Sequence, residues 1–391
     1  HSFPIFPPMQ SNPPIENLVA DLFDVVATYQ QGSRVAFALA PRFDGARASA
    51  ALRERLTTAG YDFTLDGAEL SWLLIIDPKP KLRVPTLNIL LFFLTLLSVY
   101  VVPIFLSALT QSMLIIAQQV QAPLEGILDE FRLMALAAPS AWSRTLERMS
   151  NGDGIEFTLA IISILFIHEM GHFVASRRRH VITSWPYFIP APNIIGTFGA
   201  IIKSKSPFWN RRDLIEVGAA GPIAGWIVAV FWLIFGLTRS HILPNDAFTP
   251  EMIGFSLEGE SILMRLATLS TLGVAPDGFS YHLSEGAFAG WVGLLVTAIN
   301  LLPIGQLDGG HILYGTARRL QHTFAIIALG SLFFLGFVSQ MWWVFAVMGL
   351  IFGIKHPPTL NDGIRPSRFA VGMAVASLVI FGLSFTPIPF R

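Results

Sequence analysis

The sequence predicts an α-helical polytopic membrane protein with about seven transmembrane helices, a re-entrant β-hairpin among them, and a small α/β module in front. Three observations carry that prediction. Of 391 residues, 53% are hydrophobic and 13% charged, against about 25% charged in ordinary soluble domains. Apolar stretches of bilayer-crossing length recur from Leu87 onward. One of them, IISILFI over 161–167, runs straight into His168-Glu169-Met170-Gly171-His172, and ionisable residues in such a setting are costly and usually functional. The formal net charge is zero, so no basic field points to nucleic acid. With no cysteine present, thiolate sites and disulfides are excluded, and any metal site must use His, Asp or Glu.

The elements follow in chain order. Residues 1–16 hold five prolines and no apolar run, and are expected to form a disordered, extended tail. Residues 17–84 read as a small cytoplasmic α/β module. A short helix over 17–31 comes first, then a strand at Arg34–Ala40. A helix over Arg47–Ala59 follows, with Leu52, Leu56 and Ala59 on one face and Gly60 at its C′ position. Two strands, Asp62–Leu65 and Ser71–Ile76, complete the module. So short a stretch builds only a small core, and the module is expected to lean on the rest of the chain.

Lys79, Lys81 and Arg83 lead into a first span, Leu87–Leu109, interrupted by Pro103. In 110–154, Leu124, Leu128 and Phe131 are spaced i, i+4, i+7 among Glu125, Asp129 and Glu130, the pattern of amphipathic helices lying at the membrane interface. The second span, Gly154–Ser176, carries the H-E-x-x-H and ends at Arg177-Arg178-Arg179-His180, arginines read as topology determinants. Pro186, Pro190 and Pro192 then break any helix before the apolar, Gly-rich Gly196–Ile202. A hairpin re-entering the membrane fits this stretch, provided it is buried in protein or wet. The third span, Glu216–Leu237, opens on Gly218, Gly221 and Gly225, small residues that let another helix approach closely. A polar loop, 238–285, separates it from a fourth span, Gly286–Leu302, which runs into Pro303 and Asp308-Gly309-Gly310-His311. Thr323–Val338, Trp342–Ile354 and Phe369–Thr386 fit three more spans.

Charge orients this arrangement. With the N-terminus inside, fifteen Lys or Arg from Lys79 onward fall on one side. Only Arg132, Arg144, Arg148, Arg239, Arg265 and Arg391 fall on the other. The positive-inside rule makes the first side cytoplasmic and the C-terminus extracytoplasmic. The site-bearing ends of the second and fourth spans then both approach the cytoplasmic face.

The chemistry centres on His168 and His172, one helical turn apart and facing one point, with Glu169 beside the first as a general base for water. A catalytic zinc site wants three protein ligands and one open position, and Asp308, flanked by two glycines at the end of another apolar span, is suited to be the third. The bland readings are two interfacial histidines at a helix end, and for Asp308 a cap or turn residue.

These residues carry a resemblance. His168-Glu169-x-x-His172, Ala220-Gly221-Pro222-x-Ala224-Gly225 and Asn300-x-x-Pro303-x-x-x-x-Asp308-Gly309 are similar to the motifs of the site-2 protease family of intramembrane zinc metalloproteases. Within it, Gly196-Thr197-Phe198-Gly199-Ala200, Lys203, Lys205 and His356-Pro357-Pro358-Thr359 resemble the branch with plant chloroplast and cyanobacterial or other bacterial homologues. The likeness covers about 155–365. It implies that 85–391 is a metalloprotease domain with its catalytic core at 155–315, and that His168, His172 and Asp308 bind one Zn2+ per chain. It implies further that Glu169 takes a proton from water and passes it to the leaving amine, and that Asn300 hydrogen-bonds the substrate or the developing oxyanion. The segment Gly196, Thr197, Phe198, Gly199 and Ala200 would bind the substrate by adding it as a strand. Asn300 could instead stitch helices together, and 196–202 could be a loop sealing the domain. Gly221 and Gly225 read as packing residues, and His180, His311 and His356 as non-ligands.

The implied function is hydrolysis of a peptide bond in or near the transmembrane segment of a single-pass membrane protein, such as a membrane-held transcription regulator or anti-sigma factor. The implied setting is a prokaryotic cytoplasmic membrane, or alternatively a chloroplast membrane. One departure matters: the 238–285 loop is too short for the PDZ domain many bacterial members carry there. Gating would then fall to the N-terminal module, to 110–154 or to a separate regulatory partner. The rival readings are a catalytically inactive homologue that binds transmembrane helices, and a metal-ion transporter. The complete ligand and base set opposes the first, and the scarcity of acids elsewhere in the apolar spans opposes the second.

Overall fold

A computed structural model describes residues 14–31, 34–68, 71–76, 84–120, 127–245 and 259–389. The Pro-rich tail to residue 13, the cluster Lys79, Lys81 and Arg83, and Leu124 and Glu125 lie outside the described residues. The chain forms two compact units: residues 1–83 with 206–214 and 357–367, and 84–205 with 215–356 and 368–391.

The first unit is an antiparallel sheet with a helix against one face. A short helix α1 (Ile15–Val19) precedes strands β1 (Phe23–Gln31) and β2 (Arg34–Pro41). Helix α2 (Gly45–Thr58) then leads to β3 (Phe63–Ala68) and β4 (Ser71–Ile76), giving the order β1-β2-β4-β3. Where one short helix was expected over 17–31, the alternation of Phe23 to Gln31 pairs with β2 from Phe23↔Pro41 to Gln31↔Arg34 instead. Asp44 caps α2, accepting from the Ala46 amide at 3.0 Å, and Ala48, Leu52 and Leu56 bury against Phe23, Phe37, Leu39, Leu65 and Leu74. Ala36, Ala38 and Ile75 are also buried. Segments 206–214 and 357–367 belong to the same unit. Their amides join at Leu360 to Phe208 and Asn361 to Trp209. Asn361 Nδ2 donates to Ser71 Oγ at 3.1 Å, and Trp209 meets the Tyr29 ring edge-on. The module is therefore not 17–84 alone: two segments distant in sequence complete it.

Among the described residues three helices are long and apolar enough to cross a membrane: Thr86–Gln119, Ile155–Arg178 and Arg211–Leu237, the last beginning in the first unit and running into the second. The first is α3 (Thr86–Val120), continuous through Pro103, so the apolar helix passes the expected end at Leu109 and takes in Gln111 and Ser112, both buried. Helix α4 (Ile127–Ser150) packs along α3, with Ala137 and Ala141 against Ala108 and Leu109. Helix α5 (Ile155–Arg178) carries the H-E-x-x-H and is central: 61% of its apolar window is buried, against 17% for α3. It ends with His180 in the left-handed region at φ 56°, the Val181 amide reaching back to the Ser176 carbonyl.

Strands β5 (Tyr187–Pro190) and β6 (Thr197–Ile201) pair antiparallel, from Tyr187↔Ile201 to Pro190↔Thr197, with a register shift between Phe188 and Pro190. Asn193 Oδ1 shapes the turn between them by accepting from the Ile195 and Gly196 amides. Asn88 of α3 anchors the pair, donating to the Pro186 carbonyl at 2.7 Å and the Trp185 carbonyl at 3.1 Å.

Helix α6 (Arg211–Leu237) is followed by β7 (His241–Pro244), α7 (Ile262–Thr271) and β8 (Phe279–His282), which pairs with β7. Helix α8 (Glu285–Asn300) is buried along nearly its whole length. Its glycine row permits this: a Cβ on Gly290 would strike the backbone of Leu233, and one on Gly293 would lie 2.8 Å from Ala229 Cβ of α6 and 2.9 Å from Ile164 Cδ1 of α5. Helices α5 and α8 cap each other. Glu285 accepts from the Gly154 and Phe157 amides at 2.8 and 3.3 Å, while Glu156 accepts from the Gly286 amide at 3.1 Å and pairs with Arg239. Each first-turn carboxylate thus satisfies orphan amides of the other helix, favoured also by the dipole. Helix α9 (Asp308–Leu335) breaks at Ala317, where φ −135° and ψ 61° leave the helical region. Helices α10 (Met341–Phe352) and α11 (Arg368–Ser384) complete the unit.

Candidate metal centre

The geometry is set by α5, α6 and the start of α9. His168 and His172 project from the same face of α5, their Nε2 atoms 3.2 Å apart. Asp308 closes the triangle, with Oδ2 3.4 Å from His168 Nε2 and Oδ1 3.3 Å from His172 Nε2. An ion bonded tetrahedrally at about 2.0–2.1 Å holds its ligand atoms about 3.3 Å apart, which is the spacing these donors already have. Two imidazoles and a carboxylate are also the donor set zinc accepts. Among the described residues this is the one cluster of three or more potential ligands whose donor atoms lie within 4.8 Å of one another.

The surroundings explain why the rings stand where they do. His172 Nδ1 lies 2.8 Å from the Val217 carbonyl of α6, which fixes Nδ1 as the protonated nitrogen and leaves Nε2 for a metal. Helix α6 comes this close because its small residues face α5. A Cβ on Gly221 would clash with the His172 imidazole, 2.1 Å from Nε2, and one on Gly225 would stand 2.9 Å from His168 Cβ and 3.0 Å from its Nδ1. Gly171 meets α6 at Ala220 in the same way. Glu216 accepts from Arg179 Nε at 2.6 Å and ties the end of α5 to α6, so one of the arginines read as topology determinants also forms a buried tie. Asp308 reaches the histidines because Gly309 and Gly310 lie against the Leu301 and Gly305 carbonyls, where any side chain would collide.

Glu169 is buried beside His168, and its carboxylate has no hydrogen bond to the described residues. Asn300 is half-buried in the last turn of α8 and makes no hydrogen bond with the three donor residues. The proposed substrate segment divides in two. Gly196, at φ 80°, sits where a Cβ would collide with the α3 backbone at Ser98 and Val99, and Thr197 is buried, its hydroxyl donating to the Ile189 carbonyl at 2.8 Å. Both serve the hairpin itself. Phe198 is 72% exposed, and Gly199, at φ 92°, has open space around it. Ala200 pairs with Phe188. Sequence reasoning missed the Val217 carbonyl, since a main-chain acceptor has no residue signature. It also took Gly221 and Gly225 as general packing positions, without their contact to the two histidines.

Comparison with known proteins agrees with this arrangement. Residues 156–338 match Peptidase family M50. The chain is 30% identical over 274 residues to the probable zinc metalloprotease EGY2, chloroplastic, of Oryza sativa subsp. indica, covering 68% of this chain and 49% of that protein. It is 31% identical over 275 residues to the Arabidopsis thaliana protein of the same name, at 68% and 48%. With the probable zinc metalloprotease EGY1, chloroplastic, of Arabidopsis thaliana it is 31% identical over 234 residues, at 58% and 42%. The chain spans about half the length of the curated relatives it matches. No solved structure matches it. Membrane-length helices and a His-His-Asp cluster that fits zinc agree with that match: residues 156–338 form a Peptidase family M50 domain, similar to the site-2 protease type of zinc metalloprotease.

Proposed function

We propose that the chain is an intramembrane endopeptidase that cleaves a single-pass membrane protein in or near its transmembrane segment. The observation that carries this reading is the convergence of His168, His172 and Asp308 beside Glu169 within a helix apolar enough to cross a bilayer. His168, His172 and Asp308 would hold one zinc, which when bound would supply Lewis acidity to polarise a carbonyl and acidify water near neutral pH. The Val217 carbonyl and Gly221 keep the His172 ring in place. Glu169, with no competing hydrogen bond among the described residues, accepts a proton from the attacking water and delivers it to the departing amine nitrogen. Asn300, at the end of α8, donates to the substrate carbonyl as negative charge develops there.

A helical substrate offers no free backbone groups, so it must unwind before hydrolysis. The two-stranded β5–β6 sheet, with Phe198 and Ile201 exposed on β6 and open space beside Gly199, supports docking of an extended substrate as an added strand. Counting the shorter apolar helices Met341–Ile351 and Arg368–Ser384 together with α8 and α9 as crossings would give seven spans. The Lys and Arg distribution supports a cytoplasmic N-terminus and an extracytoplasmic C-terminus. A prokaryotic cytoplasmic membrane remains our reading of the setting, with the chloroplast as the alternative. A membrane-held transcription regulator or anti-sigma factor is the expected substrate class, and a separate protein is the expected source of any gating beyond the module and 110–154. The test is cleavage of a reporter single-pass helix by wild type and Glu169→Gln. Cleavage by wild type alone supports the reading; equal cleavage by both removes Glu169 from the mechanism.

A further inference from the structure

The break in α9 divides that helix into a segment carrying Asp308 and a segment beyond Ala317. Such a break leaves the first segment without the continuous hydrogen-bond ladder that would otherwise fix its direction. The loop that follows α10 touches both segments. On the near side, His356 Nε2 lies 2.6 Å from Nδ1 of His311, one turn after Asp308. The two rings meet edge-on at 4.8 Å, and Tyr314 covers the His356 ring at 4.6 Å. On the far side, Gln321 is buried; its Nε2 donates to the Ile354 carbonyl at 3.0 Å and its Oε1 accepts from the His356 amide at 3.3 Å. The loop itself is stiff. Gly353, at φ 83°, turns it out of α10, and Pro357-Pro358 directly follow His356 in the sequence, restricting its backbone to extended conformations.

We propose that His356 and Gln321 form a brace across the α9 break, and that His356 is a positioning residue which sets where Asp308 stands relative to His168 and His172. The geometry has little slack to lose. Gly218 of α6 packs with its ideal Cβ position 2.9 Å from His311 Cβ and 3.4 Å from the Asp308 carbonyl oxygen, so a tilt of the first α9 segment would drive it into α6 or away from the histidines. Metal centres need their ligands held to within about 0.5 Å, and loss of a group that orients a ligand typically lowers metal affinity about 10–100-fold. The inference rests on the reading of Asp308 as a zinc ligand.

The experiment uses the full chain purified in detergent, with zinc affinity measured by competition against a chromophoric chelator and kcat and KM measured on a reporter single-pass helix. His356→Phe keeps an aromatic ring under Tyr314 but removes the bond to His311. It should weaken zinc binding about tenfold and lower kcat while leaving KM unchanged. His356→Gln places an amide near the position of Nε2 and should restore most of both. Gln321→Met, which removes the far-side grip without touching His311, should shift zinc affinity in the same direction and carries the test if His356→Phe does not fold. Wild-type zinc affinity in folded His356→Phe or Gln321→Met overturns the brace, as does a His356→Gln variant no better than His356→Phe. Asp308→Ala in the same series separates the two readings. If it retains zinc, the assignment of Asp308 fails; if it loses zinc while His356→Phe keeps it, the brace alone fails.

Discussion

Replacing Gly221 by alanine adds one methyl group, and the structure places that methyl 2.1 Å from His172 Nε2, 2.4 Å from Cδ2 and 2.5 Å from Cε1. Non-bonded heavy atoms settle at about 3.5–4.0 Å, so the ring or α6 must move by about 1 Å or more. The ring has nowhere cheap to go, because its Nδ1 is tied to the Val217 carbonyl at 2.8 Å on the same helix. Movement of α6 instead would separate it from Gly171 and from His168, which Gly225 touches. Overpacking of this kind costs about 1–3 kcal/mol of stability. The displaced ligand should lower zinc affinity about 10–100-fold, or about 1.4–2.7 kcal/mol. The assay is chelator competition on the purified chain, with the thermal midpoint recorded on the same sample. Gly372→Ala is the control: on α11 its Cβ meets nothing within 4 Å, and removing a helical glycine should be neutral or stabilising by up to about 1 kcal/mol. If Gly221→Ala binds zinc as tightly as wild type, the argument that α6 backs the ligand rings is wrong.

Other consequences follow from the scaffold. Glu285→Ala strips two acceptors from the start of α5 and should lower stability by about 1–3 kcal/mol; thermal unfolding checks it, and an unchanged midpoint would mean the mutual capping contributes nothing. Asn88→Ala should loosen the β5–β6 hairpin, raising hydrogen exchange over 185–201 while leaving zinc bound. Its cost should sit near about 1 kcal/mol, because the Asn88 Oδ1 already lacks a partner among the described residues. Unaltered exchange there would remove Asn88 as the anchor. In the first unit the Arg55 guanidinium, hydrogen-bonded to Asp21 at 2.6 and 2.8 Å, holds that carboxyl below its usual range. A depressed folded pKa adds stability above the unfolded value and loses it as pH falls through the folded one. Exchange of α1 amides should therefore rise only below about pH 3.9, and Arg55→Met should abolish that dependence.

The His168, His172 and Asp308 cluster was legible because metal chemistry would impose its spacing. Two histidines four apart on a helix must share a face, and a carboxylate between a turn and two glycines marks a helix start that can approach another backbone. What holds these residues left no such mark. The Val217 carbonyl belongs to the main chain, and Glu156 and Glu285 cap each other across a long stretch of sequence, where each reads singly as an ordinary first-turn acid. The helix of the first span runs beyond Leu109 to Val120, and α4 packs along that part of α3, where Gln111 and Ser112 are buried. The module boundary was drawn too narrowly for a related reason. Segments 206–214 and 357–367 flank membrane-length or apolar helices, and nothing local in Trp209 or Asn361 announces the sheet residues Tyr29 and Ser71 that they meet.

The central claim is that His168, His172 and Asp308 together hold zinc while Glu169 does not. Metal content of the purified full chain tests it most directly. Wild type and Glu169→Gln should each carry about one zinc, and His168→Ala, His172→Ala and Asp308→Ala should each lose it. Full zinc occupancy in Asp308→Ala, or loss of zinc from Glu169→Gln, would contradict the account.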